Sequence, residues 1–212
     1  MSILNLIGKG KPKFENDIEK KLYEENFAGY KDRKDNLDYQ ERLLKRVNEA
    51  QARYKKDGNL ERVIKELEYS FVKAKPPCIS SQNMDLVEYY IKAGRNDDAY
   101  RYLNQLYASQ RAPVAKIRLM QAKILKKENR WADAIEIYML GYLTKSEWNG
   151  SFQKEMFIKD VRPLVNKLGW NSDVTEELSN MVAKYVKKKN YNEGDLSKEY
   201  RKYYEKISIK KE

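Results

Sequence analysis

The chain contains no histidine. This removes the commonest general base and metal ligand and excludes any Ser-His-Asp or Cys-His nucleophile system built from its own residues. The single cysteine, Cys78, follows Pro76-Pro77, so no internal disulfide, redox pair or cysteine zinc motif can form. No basic residue adjoins it to favour a thiolate, and it reads as a packing residue. Two acidic pairs, Asp97-Asp98 and Glu176-Glu177, stand where helices are expected to begin. Negative charge complements the helix dipole there, which explains them better than acid–base work does. Gly8-Lys9-Gly10-Lys11 has neither the spacing of a phosphate-cradling loop nor a strand before it. No catalytic, cofactor-binding or metal-binding residue is therefore assigned.

Charge raises a second chemistry. The 212 residues carry a formal net charge of +11 and 17 tyrosines, which would suit a phosphate backbone and stacked bases. From Lys184 onward there are 10 basic against 5 acidic residues, with Lys187-Lys188-Lys189 and Lys210-Lys211 as runs. A nucleic-acid-associated protein using this basic C-terminal surface is thus the alternative reading. The tyrosines recur at helical spacing, as packing residues do. At the other end, Ile3, Leu4, Leu6 and Ile7 precede Lys9, Lys11 and Lys13, the reverse of a secretory signal and too short to span a bilayer. With one cysteine and no export signal, the expected location is cytoplasmic.

The elements that would position any site are helices. Hydrophobic residues make up 41% and charged residues 35% of the chain, with only 9 Gly and 5 Pro, a helix-friendly composition. Leu43, Leu44, Val47, Ala50 and Tyr54 recur every three or four residues, Asp57-Gly58-Asn59 interrupts, and Leu60, Val63, Ile64, Leu67 and Phe71 follow before Pro76-Pro77. The pattern repeats with Leu86, Val87, Tyr90 and Ile91, a break at Gly94-Arg95-Asn96, then Ala99, Tyr102, Leu103 and Leu106. It returns with Ile117, Ala122, Ile124 and Leu125, a break at residues 127–130, then Trp131, Ala134, Ile135, Tyr138 and Leu140.

Fixed spacing marks a repeat. Val63 and Ala99 lie 36 residues apart, and Ala99 and Ala134 lie 35 apart. Nine residues before each stands Tyr54, Tyr90 or Leu125, and four after each stands Leu67, Leu103 or Tyr138. A weaker fourth copy runs through Val165, Gly169, Val174 and Leu178, with its extra length in a loop at Trp148-Asn149-Gly150-Ser151 and a kink at Pro163.

In these residues the chain resembles the tetratricopeptide repeat family, whose unit is ~34 residues with a W-x2-L-G-x2-Y helix and an A-x3-F helix. The best match is Asn129-Arg130-Trp131-Ala132-Asp133-Ala134-Ile135-Glu136-Ile137-Tyr138. Where the family's first helix has Trp and Gly, this chain has Val47 and Gln51, Asn83 and Val87, and Arg118 and Ala122. The resemblance implies an all-α, right-handed αα-superhelix of three to four helix-turn-helix repeats with flanking capping helices. It would comprise a flexible tail (1–13), an N-terminal capping segment (14–43), three repeats (44–149), and a degenerate fourth repeat with a capping helix from Asp195 to Ile207 and a tail (150–212). It also implies a non-catalytic scaffold or adaptor for a protein or peptide. The concave groove would be lined by Lys45, Asn48 and Glu49, by Asp85 and Glu88, and by Lys116, Met120, Lys123 and Lys127, with no cofactor.

Overall fold

A computed structural model describes residues 17–188 and 192–209. The expected N-terminal tail with its Gly-Lys run, Phe14, and the lysines at 189, 210 and 211 lie outside them. Among the described residues the elements are α1 (Asp17–Asp57), α2 (Leu60–Glu68), a π-helical turn (Tyr69–Lys73), α3 (Asn83–Lys92), α4 (Asn96–Ala108), α5 (Val114–Lys127), α6 (Trp131–Asn149), α7 (Lys154–Lys167), α8 (Asp173–Val186) and α9 (Glu193–Ile209), with no strand.

The hairpin turn recurs as a geometric unit. Gly94, Asn129 and Gly169 adopt φ of 71°, 59° and 63°. The amide just after each donates back into the preceding helix, Arg95 to Tyr90, Arg130 to Leu125 and Trp170 to Val165. This is the six-to-one closure that ends a helix with a left-handed residue. Gly58, at φ 65°, takes the first hairpin's place with its own amide bonded to the Tyr54 carbonyl. The aligned positions Val63, Ala99 and Ala134 are all buried, as are Leu67, Leu103 and Tyr138.

Several boundaries differ from expectation. The segment read as an N-terminal cap is continuous with the first helix, because no proline interrupts residues 17–57 and Gly29 alone does not end the helix. The boundary expected between residues 43 and 44 falls inside α1. The last turn of α2 widens into the π-helical turn before Pro76: Ala74 N donates to Tyr69 O at 2.9 Å and Cys78 N to Ser70 O at 2.8 Å. Trp148 and Asn149, read as loop, are the end of α6, and Gly150 at φ 67° caps it. Pro163 sits inside α7.

Consecutive helices pack in order from α1 to α8, and α3 also touches α5. Among the described residues there are two hydrophobic clusters. The first gathers α1 to α4 with Ile117 and Ile124 of α5; the second gathers Ala122 and Leu125 of α5 with α6 to α9. α5 therefore belongs to both cores. α6 is the hub of the second, in contact with α5, α7, α8 and α9. A helix surrounded in this way buries side chains around much of its circumference, and Ala134, Ile135, Tyr138, Met139, Tyr142 and Leu143 are all buried. Gly141 lets α5 come close: a Cβ there would lie 3.1 Å from Leu119 Cδ2 and 3.3 Å from Arg118 Cβ.

Candidate groove across the first helices of the units

The first helices of the three units, α1, α3 and α5, present the candidate groove residues to one another. Gln82 Nε2 donates to Asn48 Oδ1 at 3.1 Å, Gln51 Nε2 to Asp85 Oδ2 at 2.7 Å, and Lys123 Nζ to Glu88 Oε1 at 2.8 Å. Each bond spans one repeat, 34, 34 and 35 residues. The expected spacing thus brings Asn48, Asp85, Glu88 and Lys123 onto one surface. Of these, Glu88 and Lys123 pair directly, 43–47% exposed, whereas Asn48 and Asp85 are held by Gln82 and Gln51. Glu49 lies 3.9 Å from Arg53 within α1. Lys45, Lys116 and Lys127 are exposed and form no ion pair among the described residues, and Met120 is half-buried against the first cluster.

Two positions where the resemblance asked for tryptophan carry polar connectors instead. Asn83, 4% exposed, donates to the Arg111 carbonyl at 2.8 Å. Arg118 grips Glu193 of α9 with both terminal nitrogens at 2.5 Å and reaches Thr144 Oγ1 at 2.6 Å. The Arg118 hydrogen bond holds the Glu193 carboxyl below the usual range, against the opposing effect of burial.

The remaining candidate groups are engaged structurally. Asp98 receives Arg95 at 2.7 Å and Arg101 at 3.0 Å; Glu176 pairs with Lys154 at 2.8 Å; Glu177 accepts from the Tyr203 hydroxyl. Cys78 is buried in the first cluster, and burial pushes its thiol up. Tyr100 is pushed up to about 12 by burial and the Glu128 carboxylate it bonds. In the basic C-terminal region, Lys184 pairs with Glu199 at 2.9 Å and Arg201 with Glu136 at 3.1 Å, while Lys187 and Lys188 are exposed. Among the described residues, no three metal-ligating side chains of the His, Cys, Asp and Glu kinds come together, and no helix is long and apolar enough to cross a membrane.

No protein-family model matches the chain, and no curated protein or solved structure is significantly similar to it.

Sequence reasoning missed the seat of α9. Its helix was legible from Leu196, Tyr200, Tyr203, Tyr204 and Ile207, but it packs chiefly on α6 and α8. Tyr200 donates to the Ala132 carbonyl at 2.8 Å, and Ser197 and Arg201 both reach Glu136. The groups that seat it, Glu136 and the Ala132 carbonyl of α6, lie 65 and 68 residues from their partners in α9, beyond what the local pattern of α9 reports.

Proposed function

We propose that the chain is a tetratricopeptide-like αα-superhelical scaffold that holds a protein or peptide partner, works in a reducing, cytoplasmic setting, and catalyses no reaction of its own. The observation that carries this reading is the set of side-chain bonds linking α1 to α3 and the residue that caps its start, and α3 to α5, at a spacing of 34 or 35 residues. Bonds of that period align successive first helices into one continuous face, and such a face is what helical-repeat proteins offer to extended partners. Among the described residues of the candidate groove, the cations without an ion pair are Lys45, Lys116 and Lys127, so its outer parts favour acidic segments, while Lys123 neutralises Glu88 and the uncharged Gln51 amide holds Asp85.

The test is affinity capture from the source cell with the tagged wild-type chain and a Lys45→Glu, Lys127→Glu double variant, with partners quantified by mass spectrometry. Both sites are exposed and unpaired, so the fold should be retained. Selective loss of a partner from the variant is expected; equal recovery from both proteins counts against groove binding.

A further inference from the structure

Two clefts adjoin at the connection between α4 and α5. One, of about 680 Å³, is lined by Tyr107, Gln110, Arg111, Pro113 and Val114 among others. The second, of about 380 Å³, is lined by Ile79, Ser80, Ser81, Asn83, Arg111, Pro113 and Lys116. They share Arg111 and Pro113 and so form one bipartite depression at the edge where α3 and α5 begin. Two large apolar side chains stand exposed beside it, Ile79 at 72% and Tyr107 at 60%. Both come from connections or helix ends that the two cores do not need, whereas their neighbours Cys78 and Leu106 are buried.

The charge of the depression is one-sided. Its two cations are Arg111 and Lys116, and no carboxylate lines either cleft. Arg111 is pre-positioned: Nη1 donates to Phe71 O at 3.1 Å and Nε to Ser109 Oγ at 3.0 Å. Neither cation pairs with a carboxylate among the described residues. Two unpaired cations flanking exposed apolar side chains, with no carboxylate in either cleft wall, suit an anionic, amphipathic occupant.

We infer that this depression docks an extended segment of another protein in which bulky apolar and acidic residues alternate, the apolar ones seated against Ile79, Pro113 and Tyr107 and a carboxylate between Arg111 and Lys116. An extended strand points successive side chains to opposite sides, so alternation lets one register serve both cleft walls. The inference rests on the scaffold reading above and places the partner's anchor at the edge of the proposed groove.

The experiment is fluorescence anisotropy with a short fluorescein-labelled peptide of alternating Leu and Asp. Comparison peptides replace Leu by Ser or Asp by Lys, and a dT oligonucleotide serves as a plain polyanion. The wild-type chain should bind the Leu–Asp peptide saturably and neither altered peptide. Lys116→Glu and Ile79→Asp, both at exposed positions, should each weaken binding about tenfold or more. Their far-ultraviolet circular dichroism should be unchanged. Arg111 is left intact because it also supports Phe71. Absence of saturable binding, indifference to both substitutions, or equal competition by the oligonucleotide would overturn the assignment. If only Lys45→Glu, Lys127→Glu abolishes binding, the scaffold reading stands and the cleft falls; if the cleft variants weaken binding while capture from cells finds no groove-dependent partner, the cleft stands and the lysine-lined groove falls.

Discussion

At the residue scale the repeat is carried by backbone angles as much as by apolar side chains. Gly94 sits at φ 71° with open space where a Cβ would go, so alanine there would meet no neighbour and would suffer only the left-handed backbone penalty. That penalty is about 1 kcal/mol for an L residue. Gly94→Ala should therefore lower the stability measured by urea unfolding by about 1 kcal/mol with no change in spectrum. A neutral result would mean that the turn relaxes out of its left-handed state. These positions were readable in advance, since Asp57-Gly58-Asn59 and Gly94-Arg95-Asn96 interrupt otherwise unbroken periodicity. The polar residues at Asn83 and Arg118 were visible only as departures from a motif. What they bond to, the Arg111 carbonyl and Glu193, lies 28 and 75 residues away, beyond anything local patterning reports.

At the element scale α9 is the instructive case. Its own amphipathic spacing announced a helix, but its seat depends on long-range contacts with α6, through Glu136, Thr144 and the Ala132 carbonyl. Two buried residues, Leu196 and Tyr200, anchor α9, and ionised groups orient it. Glu193 is held below the ordinary carboxylate value near 4.5 by its Arg118 hydrogen bonds. For Glu199, burial pushes the carboxyl up, but the bonds from Lys184 and Tyr185 together outweigh it and the net shift is downward. A carboxyl whose folded pKa is depressed releases its proton more readily when docked, so the undocked helix binds more protons in acid. The stability it contributes is complete above the ordinary value and is lost as the pH falls through the lower, docked values. Amide exchange in α9 should therefore accelerate below about pH 4.5, once corrected for intrinsic rates, ahead of exchange in α3. In a Glu193→Gln, Glu199→Gln double variant this acid dependence should flatten. Trp170, whose ring centroid lies 5.6 Å from that of Tyr204, gives an independent fluorescence signal. Protection in α9 that stays level with α3 through the acid range would show that Leu196 and Tyr200 hold the helix without help from charge.

At the scale of the whole molecule the question is whether two hydrophobic clusters make two folding units or one. In a chain of stacked helix pairs, stability divides into units and the interfaces between neighbours, and a weak interface lets one end unfold first. Here the interface is a helix held in common: Ile117 and Ile124 of α5 pack into the first cluster, and Ala122 and Leu125 into the second. Unfolding α6 to α9 alone would strip one side of α5, uncover the close crossing at Gly141 and break the Arg118–Glu193 pair, so partial unfolding carries a large exposure of apolar surface. One cooperative transition is the expected result. The tryptophans provide the test, because Trp131, Trp148 and Trp170 all belong to α6 or the turn after α7, whereas far-ultraviolet circular dichroism reports every helix. Urea curves followed by the two signals should superimpose. Ile124→Ala, at a side chain of the first cluster with 0% exposure, should shift both curves together by roughly 2–4 kcal/mol even though every tryptophan lies in the second half. If tryptophan fluorescence ignores that substitution while circular dichroism does not, the two clusters fold separately and α5 is merely a neighbour to each.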